Sequence, residues 1–323
     1  MIKSRYLLLI VVLLLVSCNR ESAVEQAIEE IDISVQIDRF DLAFGKATPE
    51  DLPRLKRDYP FLFPERFHDS VWVNMMRDTI NQELHAEVKK AFPVMQEEAE
   101  DIAHLFKHFK YYFPGFEAPR VVGITSEVDY KNKVVVSDSL MLIALDTYLG
   151  EDHFFYDGLQ VFLKKNFKSE MLLSDIAGSY ARQLVPKPKG RTFLEQMLYY
   201  GKQLYLKDLV IPHTKEAYRI GYTLDEMQWA HNNEAQIWKY FLQKELLYDT
   251  DVQLRERFIN IAPFSKFYLQ LDQESPPQLG QYIGWQIVRQ FAEKHPDISL
   301  KQVLQLPAQK LFQESNYKPR KPE

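Results

Sequence analysis

Residues 119–145 read PRVVGITSEVDYKNKVVVSDSLMLIAL, and within them three short runs stand out: Pro119 to Ser126, Lys133 to Ser137 and Leu140 to Leu145. Each is rich in β-branched and aliphatic residues, which favour strands, while the sequence on both sides keeps a helical period. Asp129 to Asn132 supplies turn residues between the first two runs. The expectation is a small, mainly antiparallel sheet set inside a helical protein. Working outward, Ile33 to Phe40 (ISVQIDRF) alternates apolar and polar residues and reads as one more strand. Thr48-Pro49-Glu50-Asp51 has a capping residue, proline in the first turn and two acids, so it opens a helix that should end before Pro60. Met76 to Ala91 and Val94 to Tyr112 follow as amphipathic helices, divided by Pro93 and closed by Pro114-Gly115. Beyond Gly150 the helical period returns in Leu172 to Leu184, Thr192 to Lys207, Thr223 to Leu247, Gln278 to Lys294 and Ser299 to Gln305. The fold class is α+β, mostly α-helical, with the small sheet preceding a helical C-terminal part.

The chain has 323 residues, 46% hydrophobic and 26% charged, with only 11 glycines, a composition that buries a substantial core. Net charge is −5. No positive field is available to displace counterions from phosphates, so nucleic acid is not expected as a partner. A single cysteine excludes a disulfide framework.

Lys3 and Arg5 precede an apolar run from Tyr6 to Val16, and Ser17-Cys18 follow at once. Eleven apolar residues rise about 16 Å as a helix, too little for a ~30 Å hydrocarbon core. A basic start with a short apolar centre is a signal peptide. Leu15-Val16-Ser17-Cys18 resembles the lipobox of bacterial lipoproteins, which implies cleavage before Cys18 and acylation of its thiol. The expected organisation is a signal peptide over 1–17, a lipidated polar tether over 18–31 and one α+β domain over 32–323. Two or more acyl chains on Cys18 would anchor the protein to a membrane without spanning it.

Candidate chemistry is sparse. His104 and His108 stand one helical turn apart, but Leu105 follows His104, so the general base of H-E-x-x-H is missing and a solvated helix face is the expected role. His231 and Glu234 share a helix face without a partner motif. Ser179, after Gly178, lacks the strand and second glycine of a nucleophile elbow. The basic turn from Lys187 to Arg191 and the loose acids Asp146, Glu151 and Asp152 fit no phosphate or calcium loop. No catalytic residue, metal or cofactor is expected.

Several segments together resemble the gliding motility-associated lipoprotein GldB family of Bacteroidetes. They are the lipobox, Ile37 to Phe40, Asp58 to Leu62 (DYPFL), Thr192 to Met197 (TFLEQM) leading to Gly201-Lys202, and Gly221-Tyr222 with Met227 to Trp229. Gly284 to Val288 (GWQIV) and Phe312 to Pro319 (FQESNYKP) complete the set. The resemblance implies a periplasm-facing envelope component of the gliding machinery, linked to type IX secretion and held by protein partners. The layout is also similar to a gluzincin zinc peptidase. Its alignment puts Ser174, Asp175 and Gly178 at the positions of the two histidines and the base, and Tyr200 at the third ligand. With every ligand replaced, the scaffold would be degenerate and non-catalytic. Two other readings compete with it: a metal-dependent hydrolase using ligands such as His104 and His108, and a small-molecule or glycan binder using Trp229, Trp238 and Trp285. The last long helix, Gly280 to Lys294, carries a core stripe of Ile283, Ile287, Val288 and Phe291, with Gln286, Arg289, Gln290 and Glu293 opposite. Gly284 within it suggests close approach of a second helix.

Overall fold

The computed structural model describes residues 23–269 and 272–320. The residues expected to form a signal peptide, and Cys18, lie outside them. The body opens with a helix, α1, over residues 23–29, in the stretch expected to be a free tether. Ile28 is the reason: its side chain is fully buried, while Glu29 meets His104 and Lys107.

The order is then β1 (Ile37–Arg39), α2 (Phe40–Gly45), α3 (Leu52–Asp58), α4 (Asp69–Arg77), α5 (Thr79–Ala91) and α6 (Gln96–Tyr112). The sheet is completed by β2 (Arg120–Ile124), β3 (Val134–Val136) and β4 (Leu140–Ala144). The second half comprises α7 (Val161–Lys164), α8 (Leu172–Leu184), α9 (Phe193–Val210), α10 (Glu216–Ile220) and α11 (Leu224–Gln243). It ends with α12 (Gln253–Phe258), α13 (Leu279–Lys294), α14 (Leu300–Gln305) and α15 (Ala308–Ser315). Capping chemistry sets many starts: Thr48, Thr192, Thr223 and Ser299 each form a reciprocal capping box with the residue three positions on. Asp78 caps α5 and so divides α4 from it inside the stretch expected as one helix from Met76.

The class is α+β and mostly helical, as expected, but the sheet is mixed rather than mainly antiparallel. Its order is β1-β2-β4-β3, with β1 and β4 both parallel to β2 and only β3 antiparallel to β4. Two physical facts explain the difference. The connection from β1 to β2 carries five helices, enough for a parallel crossover. The 126–132 segment closes no hairpin, because its backbone is drawn onto the buried Asp146 carboxylate, which accepts from Ser126 N at 3.0 Å and Val128 N at 2.7 Å. Glu127 and Val128 take positive φ there. The hairpin forms instead between β3 and β4, across Ser137 to Leu140. β1 is short because Arg39 turns the chain into α2, donating to Asp41 at 2.7 Å and to the Phe92 carbonyl at 2.8 Å.

Two large apolar clusters hold the body. One lies among α9, α11, α12 and α13, and the other between the sheet, α6, α8 and the C-terminal half of α9. A satellite around Phe44, Leu55, Phe63 and Met76 packs the N-terminal helices. Helix α9 therefore joins both cores. Its backbone meets that of α13 at Gly201 and Gly284: a Cβ on Gly284 would overlap the Met197 carbonyl, and one on Gly201 would lie 2.7 Å from Trp285 N. The core stripe of α13 is fully buried as read, and Trp229 packs on the same cluster as Trp238 and Trp285. Gln286, expected on the outer face, is buried too, since α13 is covered on more than one side.

Candidate functional site

Helix α8 ends where Val185 turns to extended backbone before Pro186. It lies against the free edge of β3, where Ser179 Oγ donates to the Val134 carbonyl at 3.0 Å and Gln183 Nε2 to the Val136 carbonyl at 3.0 Å. The edge acceptors that could pair with an added peptide strand are thus held by side chains of α8.

Ser174, Asp175 and Gly178 come together on α8, where Lys207 of α9 meets Ser174 and Gly178 while Lys133 meets Asp175. Lys207 Nζ donates to Ser174 Oγ at 2.9 Å and to the Arg219 carbonyl at 2.7 Å, while Ser174 Oγ donates to the Tyr218 carbonyl at 2.7 Å. Gly178 leaves room for the lysine: a Cβ there would stand 3.4 Å from its Cε and Nζ. Asp175 accepts from Tyr148 OH at 3.0 Å and from Lys133 Nζ, whose ammonium lies 4.4 Å above the Tyr148 ring. Burial, reinforced by Arg182 and Lys133, pulls the Lys207 ammonium down to about 8 against the attraction of Asp175. Burial and the adjoining Asp175 carboxylate push the Tyr148 phenol up.

Tyr200 stands apart. It packs beside Tyr199 at 5.0 Å between ring centres, and Lys207 lies about 10 Å further along the same helix. Neither Lys207 nor Lys133 belongs to a sequence motif; each reaches α8 from a different element. The donor set does not suit zinc, because it offers no imidazole or thiolate and two ammonium groups already share its oxygens. A serine beside a lysine of lowered basicity could in principle be a nucleophile pair. Here Ser174 is 1% exposed and its proton is committed to Tyr218, so a substrate has no approach.

At the far end of α8 lies a groove of about 450 Å³ walled by Phe109, Phe113, Phe116 and Tyr180, with Glu117, Asp138 and Lys301 among its lining residues. Phe109 stacks on Phe116 at 5.3 Å, and Tyr180 meets Phe109 at 4.7 Å. Among the described residues the Tyr180 hydroxyl, itself buried, has no hydrogen-bond partner.

His104 and His108 do not form a solvated stripe. His108 is 1% exposed, and burial drives its imidazole down to about 4. Glu25 of α1 and His213, beyond α9, converge on the same pair. His231 and Glu234 diverge: His231 pairs with Glu216 at 3.3 Å, whereas Glu234 is buried and accepts from Tyr282 OH at 2.7 Å and Tyr317 OH at 2.9 Å. Asp146, in the loose acidic group, anchors a loop rather than an ion.

A family model described as "Gliding motility protein GldB" matches residues 21–319. The chain belongs to this family. No curated protein and no solved structure matches it. For a GldB-family chain the assignment that follows is a gliding motility lipoprotein associated with the cell envelope. Among the described residues no helix is long and apolar enough to cross a membrane.

Proposed function

We propose that this GldB-family chain is a non-catalytic, lipid-anchored assembly protein that faces the periplasm and holds another component of the gliding machinery, linked to type IX secretion. The observation that carries the non-catalytic reading is the α8 network. Lysines occupy the polar centre, and side chains of α8 take up the β3 edge. A short sheet with an antiparallel edge strand followed by α8 and α9 is consistent with descent from a zinc-peptidase scaffold, and in that reading the chain is a pseudoenzyme. Acylation of Cys18 supplies the anchor. From Cys18 to residue 23 the chain spans no more than about 18 Å, which keeps the folded body close to the lipid headgroups. The aromatic groove beside Tyr180 is the surface offered to the partner, since it combines the half-buried rings of Phe113 and Phe116 with charges of both signs.

The test compares two sets of variants in cells, with abundance and melting measured alongside gliding and crosslinking. Ser174→Ala and Asp175→Asn should leave gliding intact wherever the protein is retained. Glu117→Lys with Asp138→Lys, both at exposed positions, should abolish gliding and crosslinking without changing the melt. Loss of gliding by Ser174→Ala at normal abundance and stability would reverse the non-catalytic reading.

A further inference from the structure

A carboxylate and three imidazoles from three separate elements meet on the outer face of α6. Glu25 Oε1 lies 3.1 Å from His213 Nε2, 3.7 Å from His108 Nε2 and 4.0 Å from His104 Nε2. The ligating atoms of Glu25, His104 and His213 all fall within 4.8 Å of one another. Ligands held about 2.0 to 2.1 Å from a tetrahedral zinc are separated by roughly 3.3 Å, so the widest of these spacings would close by up to about 1.5 Å on loading, through rotation of the exposed His213 and partly exposed Glu25 side chains. His104 and His108 are one turn apart on α6, with ring centres 4.8 Å apart.

The second observation is His108 itself. Its side chain is 1% exposed, its Nε2 stands 3.7 Å from Glu25 Oε1, and among the described residues its ring finds one hydrogen-bonding neighbour, the Leu209 backbone. That backbone contact serves one ring nitrogen and leaves the other to be satisfied, which an ion beside Glu25 would do. The nearby positive charge, Lys107, is already held by Glu29, at 3.2 Å from its carboxylate. Glu29 also binds His104 Nε2 at 2.9 Å, so loading the site would exchange that contact for the ion.

We propose that Glu25, His104, His108 and His213 bind a borderline divalent metal ion of the zinc class and that the ion clasps α1 to the body. Three imidazoles with one carboxylate favour zinc, cobalt or copper over calcium and magnesium, which prefer all-oxygen shells. The position gives the clasp a purpose. Residues 23–29 connect the body to the segment that carries Cys18, so the ion fixes how the body stands on its anchor. Ligand exposure is uneven, with His213 75% exposed and His108 enclosed, which leaves an open side for loading.

The experiment uses the full chain, purified in detergent without a polyhistidine tag and stripped with chelator, then titrated with Co(II) and Zn(II). The expected result is one ion per chain, visible absorption of four-coordinate Co(II), displacement by Zn(II) and a higher melting temperature with Zn(II) but not with Ca(II) or Mg(II). His213→Ala and Glu25→Gln should each weaken Co(II) binding by at least about tenfold while the metal-free melt stays at the wild-type value. Absence of stoichiometric binding would overturn the proposal, as would binding that survives His104→Ala combined with His213→Ala.

Discussion

Lys207 keeps an ammonium where burial disfavours charge, and its lowered basicity makes it a reporter of the α8 site. In the unfolded chain a lysine holds its proton up to about 10.5, whereas the folded protein releases it near about 8. Between those values the unfolded state binds more protons, so stability rises with pH across that window, and the cost of the buried charge is fully present below it. Lys202, held by the Leu304 and Leu306 carbonyls and lowered to about 8 by burial, adds to the same rise. Lys207→Met should remove its share, on the order of 1 to 2 kcal/mol, seen as a smaller gain in urea stability between about pH 7 and pH 9.5 than wild type shows. At this scale the sequence disclosed little of the site. Ser174, Asp175 and Gly178 could be placed together because they share one helix. Lys207, Lys133 and Tyr148 could not, since contacts between separate elements leave no local spacing. The burial of His108 is hidden from the sequence for the same reason, because the α1 segment that covers its helix face lies about 80 residues earlier in the chain.

Among the elements, the α9–α13 contact depends on two absent side chains. Alanine normally improves a helix over glycine by about 1 kcal/mol. At Gly284 the added methyl would collide with the Met197 carbonyl, a backbone atom that cannot rotate away. Gly284→Ala should therefore destabilise the protein by about 1 to 3 kcal/mol despite its better propensity, and Gly284→Leu by more, with a urea melt as the measurement. Gly115→Ala, where nothing lies within 4 Å, is the control and should stay within about 0.5 kcal/mol of wild type. An ion network reinforces the same contact. Asp208 of α9 accepts from Arg289 Nε at 2.7 Å, Arg219 Nη1 at 2.7 Å and Trp285 Nε1 at 2.8 Å, and Arg289 also pairs with Glu216 of α10. Burial raises the Glu216 carboxyl, but His231 and Arg289 outweigh it and hold the group at about 2. That stabilisation is complete above the ordinary carboxylate range near 4.5 and is lost as pH falls towards about 2. Glu216→Gln should flatten the acid limb of the stability profile between those values.

For the whole molecule, the family match and the proposed anchor rest on different parts of the chain: the match covers residues 21–319, and Cys18 precedes it. Cys18→Ser should release the protein from membranes and abolish labelling by radioactive fatty acid, because among the described residues no helix is long and apolar enough to cross a membrane in place of the acyl chains. Membrane-bound, unlabelled protein from that variant would refute the lipobox reading. The sequence by itself determined what local physics determines. Capping boxes at Thr192 and Ser299, proline breaks, the apolar stripe of α13 and the need for a close helix neighbour at Gly284 are all set within a few residues of one another. The tertiary structure alone decided the parallel pairing of β2 with β1 and β4, the seating of α1, and the meeting of Glu25 with three histidines. Strand direction follows the path of the connecting chain, and a cluster assembled from distant elements follows from how they pack. Neither leaves a period in the residues that take part.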